Sequence, residues 1–289
     1  MGGAGPVGVV GLGNMGGALA GRLAGSGPVI GSDPDEQRAA AAREDGVEIA
    51  GDAAEVAARV EVLVLSLPRP NVSWAVLEEV LPALPGGALV IETSTIGPAD
   101  ARAMHERAAG AGAGFVDAAI LSGVEQMRDG TSAFLVGGEE ADVARAEPVL
   151  RRACERVMRF GGPGTGMAAK VINNAVAHAE MVVLAEAAAL AAAEGIELGR
   201  LCELLDQDDA GVKRPLSERL AGRVRERRYD GGMPTEAARK DSALALAMAR
   251  EGGVPLFAIQ ASDTVYELAL RAGLGRSDYS AIATLWEDA

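Results

Sequence analysis

The chain has 289 residues, of which 49% are hydrophobic, 24% charged and 3% aromatic, and its net charge is −14. This length is sufficient for two domains of ordinary size with a substantial core. An acidic chain with few aromatic residues is poorly suited to bind nucleic acid or an anionic membrane through a general basic surface. We therefore expect neither nucleic acid nor a membrane as a partner.

Lysine and asparagine are rare in this chain. There are 57 alanines and 24 arginines but only three lysines and four asparagines. This composition is typical of a GC-rich coding background, in which arginine replaces lysine wherever either residue serves. The lysines and asparagines that remain are therefore the first candidates for functional residues.

The remaining composition favours a soluble, cytoplasmic protein without a metal. Cys154 and Cys202 have no metal-binding or CxxC spacing, which is typical of reduced thiols in the cytosol. Two histidines are too few for a histidine-rich metal site. No basic N-terminal region precedes a long apolar run, and Glu180 and Glu186 interrupt the longest alanine-rich stretch, so we expect no signal peptide and no membrane span.

Short apolar runs alternate with helical patterns in the first half of the chain. This alternation predicts an α/β fold with a doubly wound parallel (Rossmann) sheet, because strands buried on both faces are apolar almost throughout. The predicted strands are Val7–Gly11, Val29–Ser32, Val62–Ser66, Ala88–Glu92 and Gly114–Asp117, with further candidates at Thr131–Gly137 and Arg156–Phe160. The predicted helices between them include Met15–Ala24, Asp35–Arg43, Val72–Leu81 and Pro98–Ala109.

No strand pattern follows the glycine-rich turn at 161–166. Residues from Met167 to about Glu194 contain neither proline nor glycine and predict one helix about 40 Å long. Further helices are predicted near 198–207, 215–226, 235–251 and 256–272. We predict a dinucleotide-binding domain at 1–161 and an all-helical domain at 162–289. The long helix is apolar nearly all round and therefore needs partners on several sides, which predicts a subunit interface.

A GxGxxG motif lies between the first predicted strand and the first predicted helix. Gly11 permits the tight turn, Gly13 allows the backbone to approach a pyrophosphate, and Gly16 allows the helix to pack on the strand. The N-terminus of the helix supplies N–H donors and a partial positive charge for phosphates. This strand–turn–helix context predicts a dinucleotide site.

Asp33 stands at the end of the second predicted strand, 22 positions after Gly11. A carboxylate at this spacing accepts hydrogen bonds from the adenine-ribose hydroxyls and repels a ribose phosphate. No basic residue is adjacent, since Arg38 lies five positions on. The pattern favours NAD and leaves NADP open. The alternative is that Asp33 only begins an Asp-Pro turn.

Lys170 and Asn174 are spaced i, i+4 on the long predicted helix and therefore share a face. A lysine and an amide on an apolar helix are costly unless they have partners. A partly desolvated lysine has a lowered pKa and can exchange a proton with a substrate, which Asn174 can orient. We predict that both residues are catalytic. The alternative is a lysine that extends to solvent beside a buried amide. His178, one turn further on, is interpreted as structural.

The Gly11–Gly16 turn, the segment Gly164–Asn174 (GxGxxxKxxNN) and the pair Lys240-Asp241 resemble the β-hydroxyacid dehydrogenases. This family includes 3-hydroxyisobutyrate dehydrogenase and is related to 6-phosphogluconate dehydrogenase and to imine reductases. The resemblance covers nearly the whole chain. It implies an NAD(P)-dependent oxidoreductase that transfers hydride between nicotinamide and a small β-hydroxy acid or its semialdehyde or keto form. It also implies a homodimer or homotetramer formed through the helical domain.

The resemblance also implies roles for individual residues. Lys170 is the implied general acid and base, and Asn174 positions the substrate. Thr95 is expected near the nicotinamide, and Lys240 is expected to approach the cofactor from the helical domain. Besides the three glycines and Asp33, the implied cofactor-binding residues are Leu12, Asn14, Met15, Leu67, Pro68, Thr95 and Lys240.

One segment departs from the family pattern. Where the family has Ser-Gly-Gly to hold the substrate carboxylate, this chain has Leu121-Ser122-Gly123. Leucine cannot donate a hydrogen bond, so either Ser122 and Gly123 bind the substrate with a shifted backbone or the substrate lacks this carboxylate. The segment also resembles that of imine reductases, which makes reduction of a C=N bond an alternative function. A non-catalytic NAD(P)-binding protein is a third hypothesis. Lys213 belongs to no motif and is interpreted as a surface lysine.

Overall fold

The computed structural model of the protein describes residues 5–287 of the chain. They form two compact units, of which the first ends at Asn174 and the second begins at Ala175. The domains at 1–161 and 162–289 stay a prediction, and residues 1–4 and 288–289 of these domains lie outside the described range.

The first unit is built on one eight-stranded sheet with the strand order β3-β2-β1-β4-β5-β6-β7-β8. The order reverses between β1 and β4, and ligands of open α/β sheets bind outside the carboxyl ends of the strands at such a point. The strands are β1 Val7–Val10, β2 Val29–Ser32, β3 Glu48–Ile49, β4 Val62–Leu65, β5 Leu89–Glu92, β6 Gly114–Leu121, β7 Ala133–Gly138 and β8 Arg156–Gly161. The helices among them are α1 Asn14–Ala24, α2 Glu36–Glu44, α3 Ala53–Ala57, α4 Pro70–Val80, α5 Pro98–Gly110, α6 Val124–Asp129 and α7 Glu140–Ala153.

The predicted doubly wound sheet is confirmed and is mostly parallel, with one antiparallel pair of strands near one edge. The strands from β3 to β6 pair in parallel, but β7 runs antiparallel to β6 and β8 is parallel to β7. The connection from Leu121 to Ala133 carries only the short helix α6, which is too little chain to cross over and return in the same direction. β6 also continues past its predicted end at Asp117 to Leu121, because its apolar run continues.

Both faces of the sheet are buried. Ile91 of β5 packs on one face with Leu19 of α1 and Leu150 of α7. The adjacent Val90 packs on the other face in a cluster with Leu77 of α4. This two-sided burial explains why the strands are apolar almost throughout.

Several elements of the first unit have no counterpart among the predicted ones. β3, α3 and α6 have between two and six residues, which is too short for a pattern to show a period. α7 is longer but contains Pro148, a residue that normally ends or bends a helix. The other predicted strands and helices are confirmed, with ends that differ by a few residues.

The second unit is helical, as predicted. The long helix α8 spans Thr165–Ala193 and continues from the first unit into the second. It is followed by α9 Leu198–Leu205, a π-helical segment Pro215–Val224, α10 Thr235–Gly252, α11 Ala258–Arg271 and a 3₁₀ segment Tyr279–Trp286. The helix predicted near 215–226 is present and is π-helical, and the 3₁₀ segment is not among the predicted elements.

Carboxylates connect the helices of the second unit. The carboxylate of Glu186 on α8 accepts the backbone N–H groups of residues 257–259 at the start of α11. It thereby places a negative charge at the positive end of that helix dipole. Asp278 is completely buried, and its carboxylate lies 3.2 Å from the guanidinium of Arg219 in the π-helical segment.

Within residues 5–287, α8 is the one helix that is long and apolar enough to cross a membrane, with a mean hydropathy of 1.6 over an 18-residue window. The expectation that the chain lacks such a segment is therefore too strong. A single helix of this kind is weak evidence for a membrane span, and 17% of its apolar window is buried. The carboxylate of Glu186 on this helix contacts the start of α11.

Candidate functional site

The turn after β1 requires glycine at two positions. Gly11 has a φ of +91°, and a Cβ there would overlap the carbonyl oxygen of Ser66 after β4. A Cβ at Gly16 would overlap the carbonyl oxygen of Gly11. The two glycines therefore allow the turn, the first helix and the end of β4 to lie in direct backbone contact.

The N-terminus of α1 is open to a ligand. Gly13 is its N-cap residue, and within the described chain no side chain caps it and no acidic residue lies in its first turn. The nearest atom to a Cβ at Gly13 would be the Nη1 of Arg38, 3.7 Å away. The first N–H groups of a helix lack partners within the helix and carry a partial positive charge, so this end can bind an anion.

A cavity of about 570 Å³ lies at the carboxyl ends of β1, β2 and β4, and we call it the β1–β2–β4 cavity. It lies at the point where the strand order reverses. Of the residues assigned to a cofactor by sequence, those that line it are Gly11, Gly13, Asn14, Met15, Gly16, Asp33, Leu67 and Pro68. Thr95 is exposed and is not among the lining residues.

Asp33 lines the cavity but also fixes the glycine-rich turn. Its carboxylate accepts the backbone N–H of Leu12 at 2.8 Å and that of Asp35 at 2.9 Å. Its side chain is only 4% exposed, and the Nη1 of Arg38 lies 3.9 Å from its Oδ2. Asp33 therefore does more than begin a turn, and a guanidinium stands beside it at the cavity wall.

Arg38 is a cavity residue that sequence reasoning did not assign to the site. It lies near the start of α2, whose N-cap Asp35 brings the helix back towards the end of β2. The i, i+3 spacing between the N-cap Asp35 and Arg38 could have indicated that Arg38 turns back towards Asp33, whereas adjacency in sequence could not. Other lining residues that sequence reasoning missed include six from the start of α3 and from α4: Gly51, Asp52, Ala53, Val72, Val76 and Glu79.

The start of α8 is fixed by a buried carboxylate. Asp117 of β6 accepts the backbone N–H of Gly164 through Oδ1 and that of Met167 through Oδ2, both at 2.8 Å. Burial raises the pKa of Asp117 above its ordinary value, although these backbone hydrogen bonds oppose the shift. A helix N-terminus is a favourable place for such a carboxylate. Lys170 follows Met167 on the same helix.

Lys170 and Asn174 lie one turn apart on α8, and both are half buried. Burial lowers the pKa of the Lys170 ammonium below its ordinary value. Within residues 5–287 no carboxylate lies within 4.0 Å of it, so nothing offsets this desolvation. The Asn174 side chain has an Asn173 amide nitrogen 3.4 Å from its Oδ1. Neither Lys170 nor Asn174 lines the β1–β2–β4 cavity.

The segment Leu121-Ser122-Gly123 presents few hydrogen-bond donors. Leu121 packs against an apolar cluster of the sheet. Ser122 has a φ of +137°, which is strained for a residue with a Cβ, and its hydroxyl lies against that of the buried Ser132. The backbone N–H of Gly123 donates to Oε1 of Gln126 at 3.2 Å.

Lys240 and Lys213 are both in the second unit and are both exposed. The amine of Lys240 on α10 lies 2.9 Å from the carboxylate of Asp241. Lys213 pairs with Asp206 at 3.0 Å and with Asp208 at 3.5 Å, which is a solvated surface arrangement. His178 is exposed on α8.

Two family models together match nearly the whole chain. Residues 6–162 match the NAD binding domain of 6-phosphogluconate dehydrogenase. Residues 164–286 match a model described as NAD-binding of NADP-dependent 3-hydroxyisobutyrate dehydrogenase.

Curated relatives carry related names. A 2-(hydroxymethyl)glutarate dehydrogenase of Eubacterium barkeri is 29% identical over 285 residues, which cover 97% of this chain and 94% of that protein. A probable 3-hydroxyisobutyrate dehydrogenase of Mycobacterium tuberculosis is 36% identical over 197 residues, covering 68% of this chain and 67% of that protein.

Solved structures are similar over almost the full length. The 3-hydroxyisobutyrate dehydrogenase of Mycobacterium tuberculosis with L-serine is 30% identical, with a TM-score of 0.69, and the match covers 98% of this chain and 99% of that one. An imine reductase variant from Myxococcus stipitatus in complex with NAD⁺ is 21% identical, with a TM-score of 0.87 and coverage of 97% and 98%. At that identity the second likeness concerns the fold alone.

Proposed function

The chain belongs to the β-hydroxyacid dehydrogenase family, and on that premise we propose that it uses NAD(P) to interconvert a small β-hydroxy acid and its semialdehyde or keto form. The observation that carries the proposal is the pairing of two features within the first unit. One is the glycine-lined β1–β2–β4 cavity at the N-terminus of α1, and the other is the desolvated Lys170 at the start of α8.

The residues of the cavity fit a dinucleotide. Gly11 and Gly16 bring the backbone close together, Gly13 leaves the helix N-terminus open to a pyrophosphate, and Asn14 and Met15 lie beside it. When bound, the nicotinamide ring of such a cofactor accepts or donates a hydride. We propose that Leu67 and Pro68 contact the cofactor from the β4 side, where they line the cavity.

Asp33 and Arg38 bear on the choice between NAD and NADP. The Asp33 carboxylate has acceptor capacity beyond its two backbone bonds, which suits the ribose hydroxyls of NAD. Arg38 carries the opposite charge at the same wall and can pair with a ribose phosphate after it leaves Asp33. We propose NAD as the preferred cofactor, with NADP also accepted.

Lys170 is the proposed general acid and base. Its lowered pKa brings proton exchange closer to neutral pH than for an exposed lysine. In the reductive direction its ammonium protonates the substrate oxygen, and in the oxidative direction the neutral amine takes the proton back. Asn174, one turn away, can orient this oxygen through its amide. We propose that Thr95 and Lys240 complete the nicotinamide end.

A second candidate function is reduction of a C=N bond. The observation that favours it is the segment 121–123, where the Ser122 hydroxyl and the Gly123 N–H are already used within the protein and Leu121 has no donor. The carboxylate of a substrate gains little binding energy from this segment, because Ser122 and Gly123 must give up their present hydrogen bonds before they can donate to the carboxylate. A neutral or cationic imine has no such requirement.

We further propose that the protein is a cytoplasmic homodimer or homotetramer. Large apolar side chains of α8 and of the second unit are exposed, among them Ile172, Val176, Met181, Leu216 and Phe257. Patches of this kind on a soluble protein usually mark an interface. A second copy of the helical unit supplies the partner that an apolar helix requires.

The proposed function is tested by kinetics on the purified protein. Oxidation of NADH and NADPH is measured with short semialdehydes and keto acids, and reduction of NAD⁺ and NADP⁺ is measured with β-hydroxy acids. Turnover of these compounds supports the first function, and turnover of cyclic imines alone supports the second. Cofactor binding without turnover of any compound contradicts both and indicates a non-catalytic NAD(P)-binding protein.

A further inference from the structure

Glu92 is a buried carboxyl with no role in the site as described so far. It is the last residue of β5 and has no solvent exposure. Its Oε1 accepts the backbone N–H of Ser94 at 2.7 Å. Among the described residues, its Oε2 has no hydrogen-bond partner. A carboxyl that is buried in this way is costly, so its presence at the end of a strand needs a reason.

A chain of hydrogen bonds leads from Glu92 to the wall of the β1–β2–β4 cavity. The Oγ of Ser94 accepts the backbone N–H of Leu67 at 2.7 Å. The hydroxyl of Ser73, buried on α4, lies 3.4 Å from the same oxygen. Leu67 and the following Pro68 line the cavity. Two hydrogen bonds therefore separate the buried carboxyl from the loop that faces the cavity.

A second buried hydrogen bond lies beside this chain but does not lead to the loop. The hydroxyl of Thr93 donates to the carbonyl oxygen of Leu65 at 2.7 Å, which joins the ends of β5 and β4. Thr93 thus supports the sheet, while Glu92 and Ser94 support the loop. The two bonds can be removed separately.

We infer that Glu92 is a positioning residue of the β1–β2–β4 cavity. Its carboxyl fixes the backbone at Ser94, and the Ser94 hydroxyl in turn fixes Leu67 and Pro68 in the position that the cofactor contacts. The inference rests on the proposed function, because it concerns the same cofactor site. A wall that is already ordered does not have to be ordered when the ligand binds, which strengthens binding. Loss of the Glu92 carboxyl should therefore raise the Kd for the cofactor more than it lowers kcat at saturating cofactor.

Glutamine is the matched conservative replacement. Burial raises the pKa of Glu92 to about 7, although hydrogen bonding from Ser94 opposes the shift, so a neutral side chain is readily accommodated there. Glu92→Gln keeps an Oε1 that can accept the Ser94 N–H. Glu92→Ala removes this acceptor, and Ser94→Ala removes the next link.

The experiment is titration of the full-length protein with NADH, followed by fluorescence. We expect Glu92→Ala and Ser94→Ala each to raise the Kd for NADH about tenfold, which corresponds to the loss of one buried hydrogen bond. The double variant should bind about as weakly as either single variant, because the two side chains act through one chain of bonds. Glu92→Gln should stay within about threefold of the wild type, and kcat at saturating NADH should change less than the KM for NADH.

Thr93→Val is the control, since it removes a buried hydrogen bond without breaking the chain to Leu67. It should lower stability and leave the Kd for NADH within about threefold. Wild-type affinity in both Glu92→Ala and Ser94→Ala overturns the inference, as does equal weakening by Thr93→Val. If Glu92→Ala does not fold, Ser94→Ala and Glu92→Gln decide. A wild-type protein that binds neither NADH nor NADPH instead overturns the proposed function.

Discussion

The carboxylate of Asp117 on β6 accepts the backbone N–H of Met167 on α8, with 2.8 Å between Oδ2 and the nitrogen. Its other oxygen accepts the N–H of Gly164, so one side chain fixes the start of the helix that carries Lys170. The contact lies wholly within the first unit. It connects the strand that ends at Leu121 to the proposed proton donor.

Replacing Asp117 by asparagine should weaken this attachment. The amide side chain has one acceptor oxygen for two backbone N–H groups, so the Asp117→Asn variant should lose about 1–3 kcal/mol of unfolding free energy, and kcat should fall as Lys170 becomes less well placed. Urea denaturation and steady-state kinetics measure the two effects. Asp129→Asn, at an exposed acidic residue of the same unit, is the control. Unchanged stability in Asp117→Asn would show that the contact contributes nothing.

Gly16→Ala should prevent cofactor binding or folding. The added Cβ would overlap the carbonyl oxygen of Gly11, and neither backbone can move without displacing the turn. Thermal unfolding and NADH titration report the outcome. Gly110→Ala is the matched control at the end of α5, because a Cβ there meets no atom within 4 Å. Wild-type NADH affinity in Gly16→Ala would contradict the role given to this turn.

Asp33→Asn should shift cofactor preference towards NADPH. The substitution keeps one acceptor oxygen for the Leu12 N–H and removes the charge that repels a ribose phosphate. In Asp33→Asn, we expect kcat/KM for NADPH divided by kcat/KM for NADH to rise about tenfold. In Arg38→Ala, we expect the same ratio to fall. Glu36→Gln, an exposed neighbour on α2, should leave the ratio unchanged. A ratio that is insensitive to both Asp33 and Arg38 would rule out this part of the cavity as the selector.

Glu186→Gln should destabilise the protein in a pH-dependent way. Desolvation alone would raise the pKa of Glu186, but three backbone hydrogen bonds outweigh it and lower the pKa below its ordinary value. The carboxylate therefore stabilises the fold at pH values above the ordinary glutamate pKa, and this contribution is lost as the pH falls through the lowered pKa. The difference in melting temperature between the variant and the wild type should be largest near pH 7 and smaller below about pH 4. Glu194→Gln, at an exposed glutamate, should show no such difference; a gap that widens in acid would contradict the account.

The fold was largely predictable because continuous apolar runs and long helical patterns can be read directly from the sequence. Buried parallel strands and the uninterrupted run of α8 are regular over enough residues to show a pattern, and GxGxxG marks the turn between β1 and α1. The antiparallel direction of β7 was not predicted, because β6 was expected to end at Asp117 and in fact continues to Leu121, which shortens the connection to β7. Short elements such as α3, with five residues, have no readable period.

The candidate site could be proposed from the sequence only where a residue type is itself informative. Lys170, Asn174 and the glycines stand out in sequence, but Arg38 reaches Asp33 through the first turn of α2 and Glu92 reaches Leu67 through Ser94. Such contacts depend on how loops from different strands meet. Ser122 shows the converse case. From the sequence its hydroxyl was expected to bind substrate, but in the fold the hydroxyl lies against that of Ser132.

The central claim is that Lys170 moves the proton while the β1–β2–β4 cavity holds the cofactor. Turnover of the best substrate and the Kd for NADH should be measured together in the wild type, in Lys170→Ala and in Lys213→Ala, whose lysine is paired at the surface. We predict that Lys170→Ala lowers kcat by about 10²–10⁴-fold with little change in the Kd for NADH, and that Lys213→Ala resembles the wild type. Near-normal turnover in Lys170→Ala would contradict the account.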